Sequence, residues 1–429
     1  MKVDGVLQSH DYAMPNAAGW NTRAPDGFRD CVLLLTVLYL AVYSLLDSRS
    51  VYSDESGSAQ LGLVPTIFSG LALFLGSLVI ATAIAEPKVR LGPLQAAVFV
   101  FGSSFWLSRL VHDGLGSSLS ALLVAILLFA FSLQQPELSY RPGLARLALR
   151  VLVLGSVVSA LFFPDWAFVP AEHSGRDLLG AGTRLIGLAA SPNYLAVAAG
   201  TLLFVEISSR PLRGQAGRAV STLSTFVAVV AVLWTQSRSV MLAVGVAVLL
   251  IYASRKRSRA TRYLVAASGA FVVLSVVVVV LRAFGVLVGQ ELLEATSGRI
   301  DIWASVISGW SEFALLGVPA DHAIELQSGA GNAHNGVLEA LITGGVPFLA
   351  ATGGLLVIFG RVLWNNPKGG MFGGLLLVLI TGQLVFGTSL RMNGLVWNLV
   401  PVLLLVGECG RLQFSQRLPS LDSTAGVRS

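Results

Sequence analysis

Charge is what this chain has least of. Asp, Glu, Lys and Arg make up 12% of its 429 residues, against about 25% in an ordinary soluble domain, so a solvated globular surface is excluded. Cysteine is almost missing: Cys31 and Cys409 are the only two, both in or beside apolar runs. Neither a disulfide framework nor a thiolate metal site can be built from them. The apolar runs lack the period-two alternation of a transmembrane barrel. No Gly-x-x-x-x-Gly-Lys phosphate loop and no Asp-x-Asp pair for a metal-bound sugar nucleotide is present. The first 27 residues are polar and contain no apolar core of a cleavable signal. Internal repeats are not evident.

What the chain has instead is hydrophobic length. Apolar residues make up 54% of it and the mean hydropathy is +0.75. A bilayer span takes about 20 consecutive apolar residues, and only helices or closed barrels satisfy the backbone inside lipid. The fold class is therefore all-α, a polytopic transmembrane helix bundle. Twelve spans are expected, at 28–46, 62–85, 91–111, 117–134, 147–164, 187–207, 219–235, 239–253, 263–288, 336–363, 371–389 and 394–410. In this reading residues 1–27 and 411–429 are cytoplasmic tails, 28–288 hold spans one to nine, 289–335 form an extracytoplasmic loop, and 336–410 hold spans ten to twelve. An amphipathic helix is expected within that loop.

Orientation follows from the loop Lys and Arg residues. With the N-terminus in the cytoplasm, inside segments hold 21 of the 29 basic residues and outside segments hold 8. The inside then carries 9 acidic residues and the outside 14. The net charge of +6 thus divides into +12 inside and −6 outside, and no nucleic-acid partner is needed to explain it. All eight outside basic residues are arginine, among them Arg109, Arg176, Arg184, Arg238, Arg299 and Arg391. Arginine presents a planar fork of donors that matches phosphate oxygens. Two readings stand for each: an ordinary ion pair with Asp113, Asp165, Asp177 or Asp301, or part of an anion-binding mouth. Four of the five histidines, His112, His173, His322 and His334, fall on the same face.

The stretch 289–335 is the one long polar interruption in the second half of the chain. Ile300, Trp303, Ile307, Trp310 and Ala314 recur in it at helical spacing, with Asp301, Ser305, Ser308 and Glu312 between them. Such a helix would lie in the interface with its tryptophans in the headgroup zone, capped by Ser297 or Gly298 with Arg299 in its first turn. His334-Asn335 closes the loop at the start of an apolar span. A neutral imidazole there can take a proton from an incoming hydroxyl, or can serve as a structural hydrogen-bonding group. A metal alternative would combine His322, Glu325 and His334, but no HxxH or HExxH spacing is present. Ser191-Pro192-Asn193 interrupts the sixth span: Ser191 is a plausible N-cap and Pro192 a first helical residue. A helix starting there would aim its amides at an anion, and a simple kink is the alternative. Thr235-Gln236-Ser237-Arg238 forms a tight outer turn, with Arg238 either functional or an interfacial anchor.

Taken together, four pieces resemble the O-antigen ligase and O-antigen polymerase superfamily of bacterial membrane glycosyltransferases. They are Gly187 with Ser191-Pro192-Asn193-Tyr194-Leu195-Ala196; Thr235-Gln236-Ser237-Arg238; Ser297-Gly298-Arg299 with Ile302-Trp303 and Leu315-Leu316-Gly317; and His334-Asn335 with Leu338-Glu339, Leu341 and Gly345. The resemblance covers about residues 187–348. Two positions depart from the pattern: Ala314 stands where a proline usually precedes Leu-Leu-Gly, and Phe348 where a small residue or tyrosine is usual. The resemblance implies transfer of a glycan from a polyprenyl diphosphate to an acceptor hydroxyl on the extracytoplasmic face of the bacterial cytoplasmic membrane. It implies no nucleotide, metal or other cofactor. Carried over by position, Arg238 and Arg299 hold the diphosphate and His334 is the catalytic base. Asn193, Arg391, Arg184, Arg109 and Asn335 are the candidate substrate-binding residues.

Residue chemistry and resemblance agree. A diphosphate leaving group brings its own activation, so the protein has to neutralise developing charge and position a nucleophile. The expected partners are a polyprenyl-diphosphate-linked glycan, a glycan or lipid acceptor, and membrane lipids, with no nucleic acid. The competing function is a lipid-linked oligosaccharide flippase or other polysaccharide-export carrier. A carrier should line a path with ionisable residues near the midplane, whereas Glu206, Glu339 and Glu408 all lie near span ends.

Overall fold

The computed structural model describes residues 91–133, 143–170, 182–189, 191–209, 215–254, 256–283, 303, 306–319, 335–386 and 392–417. The first two expected spans lie outside these residues. The described chain is nearly all helix: α1 (Pro93–Leu133), α2 (Gly143–Phe162), the short α3 (Pro164–Ala167), α4 (Pro192–Ser208), α5 (Gln215–Thr235), α6 (Arg238–Ala253), α7 (Arg257–Ala283), the single turn α8 (Trp310–Phe313), α9 (Gly336–Asn365), α10 (Met371–Phe386) and α11 (Met392–Arg417). Two three-residue strands, β1 (Phe168–Pro170) and β2 (Thr183–Leu185), pair antiparallel with Val169 opposite Arg184.

The helices follow the apolar runs closely. α1 is broken at Gly114, with φ 76° and ψ −179°, between the third and fourth expected spans. α4 begins at Pro192, with Ser191 as N-cap accepting from the Tyr194 amide. The chain turns at Gln236-Ser237 between α5 and α6, as the charge between those two apolar runs indicates.

The helices differ in what surrounds them. In α4 every residue from Leu195 to Glu206 is buried, so this helix is apolar on all sides because protein surrounds it. α10 is also central and packs against α4, α6, α7, α9 and α11. On the periphery, Leu147, Val151 and Leu154 of α2, Leu223, Phe226 and Leu233 of α5, and Val273, Val276 and Val280 of α7 point outward. Among the described residues, five helices are long and apolar enough to cross a bilayer, and none has more than half of its apolar window buried in protein. Outward apolar faces on this scale are stable against hydrocarbon and not against water.

Candidate active site

Two small constellations are built at one end of the bundle. The first surrounds the turn between α5 and α6. The last carbonyls of a helix have no intrahelical donor, and that of Thr235 receives Nε–H of Arg184 at 2.9 Å. Arg184 also donates from Nη2 to Asn193 Oδ1 at 3.3 Å, joining β2 to the first turn of α4. Gln236 returns the tie, donating from Nε2 to the Thr183 carbonyl at 3.1 Å. Gln236 sits at φ 52°, a left-handed conformation that costs an L-residue roughly 1–2 kcal/mol. These cross-ties hold it there. Thr235, Gln236 and Ser237 are buried, while Arg238, the first residue of α6, is exposed. The turn thus presents one guanidinium while another, Arg184, braces it from within.

The second constellation is the start of α9. Asn335 is fully buried and is the N-cap: its Oδ1 accepts from the amides of Val337 at 3.0 Å and Leu338 at 3.3 Å. Ser275 of α7 lies with its Oγ 3.4 Å from the same oxygen and 3.0 Å from the Leu384 carbonyl of α10. Because Oδ1 faces donors, the amide orientation is fixed, and Nδ2 finds no acceptor among the described residues.

About two and a half turns further on, α9 is broken. Gly344 has φ −153° and Gly345 φ 67°, and Pro347 follows. The backbone groups this frees are taken by the segment 314–318. The Val346 amide donates to the Ala314 carbonyl at 2.8 Å, and the Ile342 carbonyl accepts from the Val318 amide at 2.9 Å. A Cβ on Gly345 would lie 2.5 Å from the Leu315 carbonyl, and one on Gly317 (φ 81°) 2.5 Å from the Ile342 carbonyl. The two glycines therefore let loop and helix meet backbone to backbone. Ala314 contributes only its carbonyl, which a proline would offer equally. Phe348 is fully buried and stacks on Phe105 of α1 at 5.4 Å. Both departures from the family pattern are thereby accommodated.

The two constellations meet at the last turns of α10. A Cβ on Gly382 would lie 2.8 Å from Ala243 Cβ and 3.5 Å from the Ser239 carbonyl of α6. Two residues on, a Cβ on Gly336 would lie 2.9 Å from Leu384 Cα. The N-termini of α4, α6 and α9 therefore lie at the same end, each carrying the positive end of a helix dipole.

The structure thus joins Arg184, Asn193 and Arg238 in one cluster and sets Asn335 beside the same helix end. Arg109 is buried on α1 and donates from Nη2 to the Thr343 carbonyl at 2.8 Å. Arg299, His334 and Arg391 lie outside the described residues, as do His322 and Glu325 of the metal alternative. Among the described residues no three His, Cys, Asp or Glu side chains gather as metal ligands. The two loop tryptophans part company: Trp303 is buried with Val306, Val318, Leu338 and Ile342, whereas Trp310 is 58% exposed. Sequence reasoning placed Gln236 in the turn without giving it a part in the site, and missed Ser275 and Ser108. Ser275 carried a signal, as a lone hydroxyl in the valine-rich run of α7.

None of the curated proteins compared with this chain matches it. The family model described as O-antigen ligase matches residues 223–353. That interval runs from α5 past the break in α9. It contains Arg238, Arg299, His334 and Asn335 and leaves out Arg109, Arg184, Asn193 and Arg391. Residues 223–353 are thus similar to the O-antigen ligase family, within a chain whose long apolar helices mark it as a multi-pass membrane protein.

Proposed function

We propose that the protein is a membrane glycosyltransferase that moves a glycan from a polyprenyl-diphosphate carrier to an acceptor hydroxyl in cell-surface polysaccharide biosynthesis. The reaction takes place on the extracytoplasmic face of the cytoplasmic membrane and needs no metal. The observation that carries this reading is the meeting, at the end of α10, of the Arg238 turn with the helix start that follows His334. Exposed arginine and three helix N-termini suit a diphosphate. His334 directly precedes Asn335, the N-cap of this helix, in the sequence.

In the proposed step His334 takes the proton of the acceptor hydroxyl as its oxygen attacks the anomeric carbon. The bond from that carbon to the diphosphate oxygen breaks, its electron pair leaves with the lipid diphosphate, and the configuration inverts. Arg238 and Arg299 neutralise the charge that grows on the leaving group, and Arg391 and Asn193 are assigned to the donor as well.

The test is glycan transfer by purified protein supplied with lipid-diphosphate glycan. His334→Ala should fold normally, retain donor binding and slow transfer by about 10²–10⁴, with chelator making no difference. Undiminished transfer by His334→Ala would remove the base assignment. Liposomes in which the wild type moves the intact lipid-linked glycan across the bilayer without breaking the sugar–phosphate bond would replace the enzyme by a carrier. In a deletion strain, loss of chain length with single repeats retained marks a polymerase. Accumulation of lipid-linked polymer marks a ligase.

A further inference from the structure

At the opposite end of α4 from Ser191 lies a charge cluster that the proposed reaction does not use. Glu206, its side chain fully buried, is shared by two arginines of α2. Arg146 grips it with a fork, donating from Nε to Oε1 at 3.0 Å and from Nη2 to Oε2. Arg150 donates from Nε to Oε1 at 2.7 Å. Ser221 of α5 completes the ring: its Oγ donates to Oε2 at 2.7 Å and accepts from Arg146 Nη2 at 3.1 Å.

The cluster is not neutral. Two guanidinium groups share one carboxylate, and Arg150 Nη2 has no acceptor among the described residues. A cation held out of water without a counter-charge is costly, so the arrangement calls for an anion. The Arg150 side chain is 14% exposed, and its neighbours Leu147 and Val151 on α2 point outward at 53% and 61%. Arg150 therefore sits at the edge of the face that meets lipid, with Nη2 itself covered by protein. Arg218, exposed, stands on α5 three residues before Ser221 and thus one turn closer to the helix end. It makes no ion pair among the described residues. The sequence here is basic throughout: Arg141, Arg210 and Arg213 flank the same helix ends, against the single acidic residue Glu137.

We propose that Arg150 and Arg218 form a binding site for the phosphate of an anionic lipid headgroup, seated between α2 and α5 where these helices leave the membrane. The phosphate supplies the second negative charge that the Arg146–Glu206–Arg150 group lacks. The tail lies along the outward apolar faces of α2 and α5. Juxtamembrane basic pockets between helices suit such headgroups, and the inference does not depend on the transfer reaction.

The experiment uses the full-length protein in detergent and reads Tm on addition of phosphatidylglycerol, the same amount of phosphatidylcholine, or inorganic phosphate. Phosphatidylglycerol should raise Tm above the phosphatidylcholine value. Arg150→Gln should lose that increment while keeping the Arg146–Glu206 pair, and Arg150→Lys should retain part of it. If Arg150→Gln does not fold, Arg218→Gln, outside the ion network, carries the test and should lose most of the increment. Equal Tm in the two lipids, or an increment that survives the glutamine variants, overturns the site. A rise with inorganic phosphate as large as that with phosphatidylglycerol keeps the phosphate chemistry but overturns the lipid as its source.

Discussion

Arg109 of α1 completes the hydrogen bonding of Thr343 in α9, donating from Nη2 to its carbonyl at 2.8 Å. In an unbroken helix that carbonyl would accept from residue 347, which is proline and has no amide hydrogen. Ser108 Oγ also lies within reach, 2.5 Å from the same carbonyl and 2.7 Å from that of Leu316. An orphaned carbonyl in the bundle interior is thereby satisfied by a charged donor from a neighbouring helix. Arg109→Met is expected to lower stability by about 1.5–3 kcal/mol, the usual worth of a hydrogen bond to a charged group. Denaturation in detergent measures this. An unchanged donor KM per folded molecule would confine Arg109 to this structural role, and a raised KM would support direct donor binding.

The break in α9 makes a second prediction. Gly345→Ala meets both a left-handed φ and the Leu315 backbone at 2.5 Å, so the 314–318 segment cannot stay docked. Gly317→Ala meets the Ile342 carbonyl in the same way. Both variants should lose folded protein, beyond the roughly 1–2 kcal/mol of the left-handed conformation alone. Gly353→Ala, in the second half of the same helix with open space around it, should be neutral or stabilising by about 0.5–1 kcal/mol. Size-exclusion profiles and Tm for the three proteins check this, and equal stability across them would show that loop and helix do not depend on close backbone contact.

What could be read in the sequence was local. Ser191-Pro192 starts a helix because a hydroxyl cap and a residue lacking an amide hydrogen suit its first turn, and Asn335 starts α9 for the same capping reason. The uses of Arg109 and Glu206 were not legible. Arg109 meets Thr343 across 234 residues and Arg146 meets Glu206 across 60, and no periodicity records such pairings. The loop tryptophans teach the same lesson. Helical spacing put Trp303 and Trp310 on one face, but Val318, Leu338 and Ile342 supply a pocket for Trp303 alone.

The two arginines beside the α5–α6 turn should respond differently to lysine. Arg184 makes two hydrogen bonds in different directions, to Thr235 and Asn193, and a single ammonium on a flexible stem cannot reproduce that fork. Arg184→Lys is expected to lower Tm and transfer together. Arg238 is exposed at the helix start, so Arg238→Lys should leave Tm unchanged yet reduce transfer roughly tenfold to a hundredfold, the loss of a charge-assisted contact. Full activity with lysine at position 238 would make that residue an interfacial anchor.

Asn335 allows capping and binding to be separated at one position. Its Oδ1 caps α9, and its Nδ2 is buried with no acceptor among the described residues. An unpartnered buried amide costs about 1–3 kcal/mol, a cost relieved if a substrate oxygen is the acceptor. Serine is nearly as good an N-cap as asparagine but lacks the amide donor. Asn335→Ser should therefore keep stability within about 1 kcal/mol of wild type and raise the donor KM. Asn335→Ala should lose the cap as well and fall in both. Asn335→Asp keeps a capping oxygen but replaces the donor by a second acceptor, so its activity should fall below that of the serine variant even where its stability does not. Measuring Tm and KM on all three proteins decides the matter. A serine variant with wild-type KM would confine Asn335 to holding the helix start behind His334.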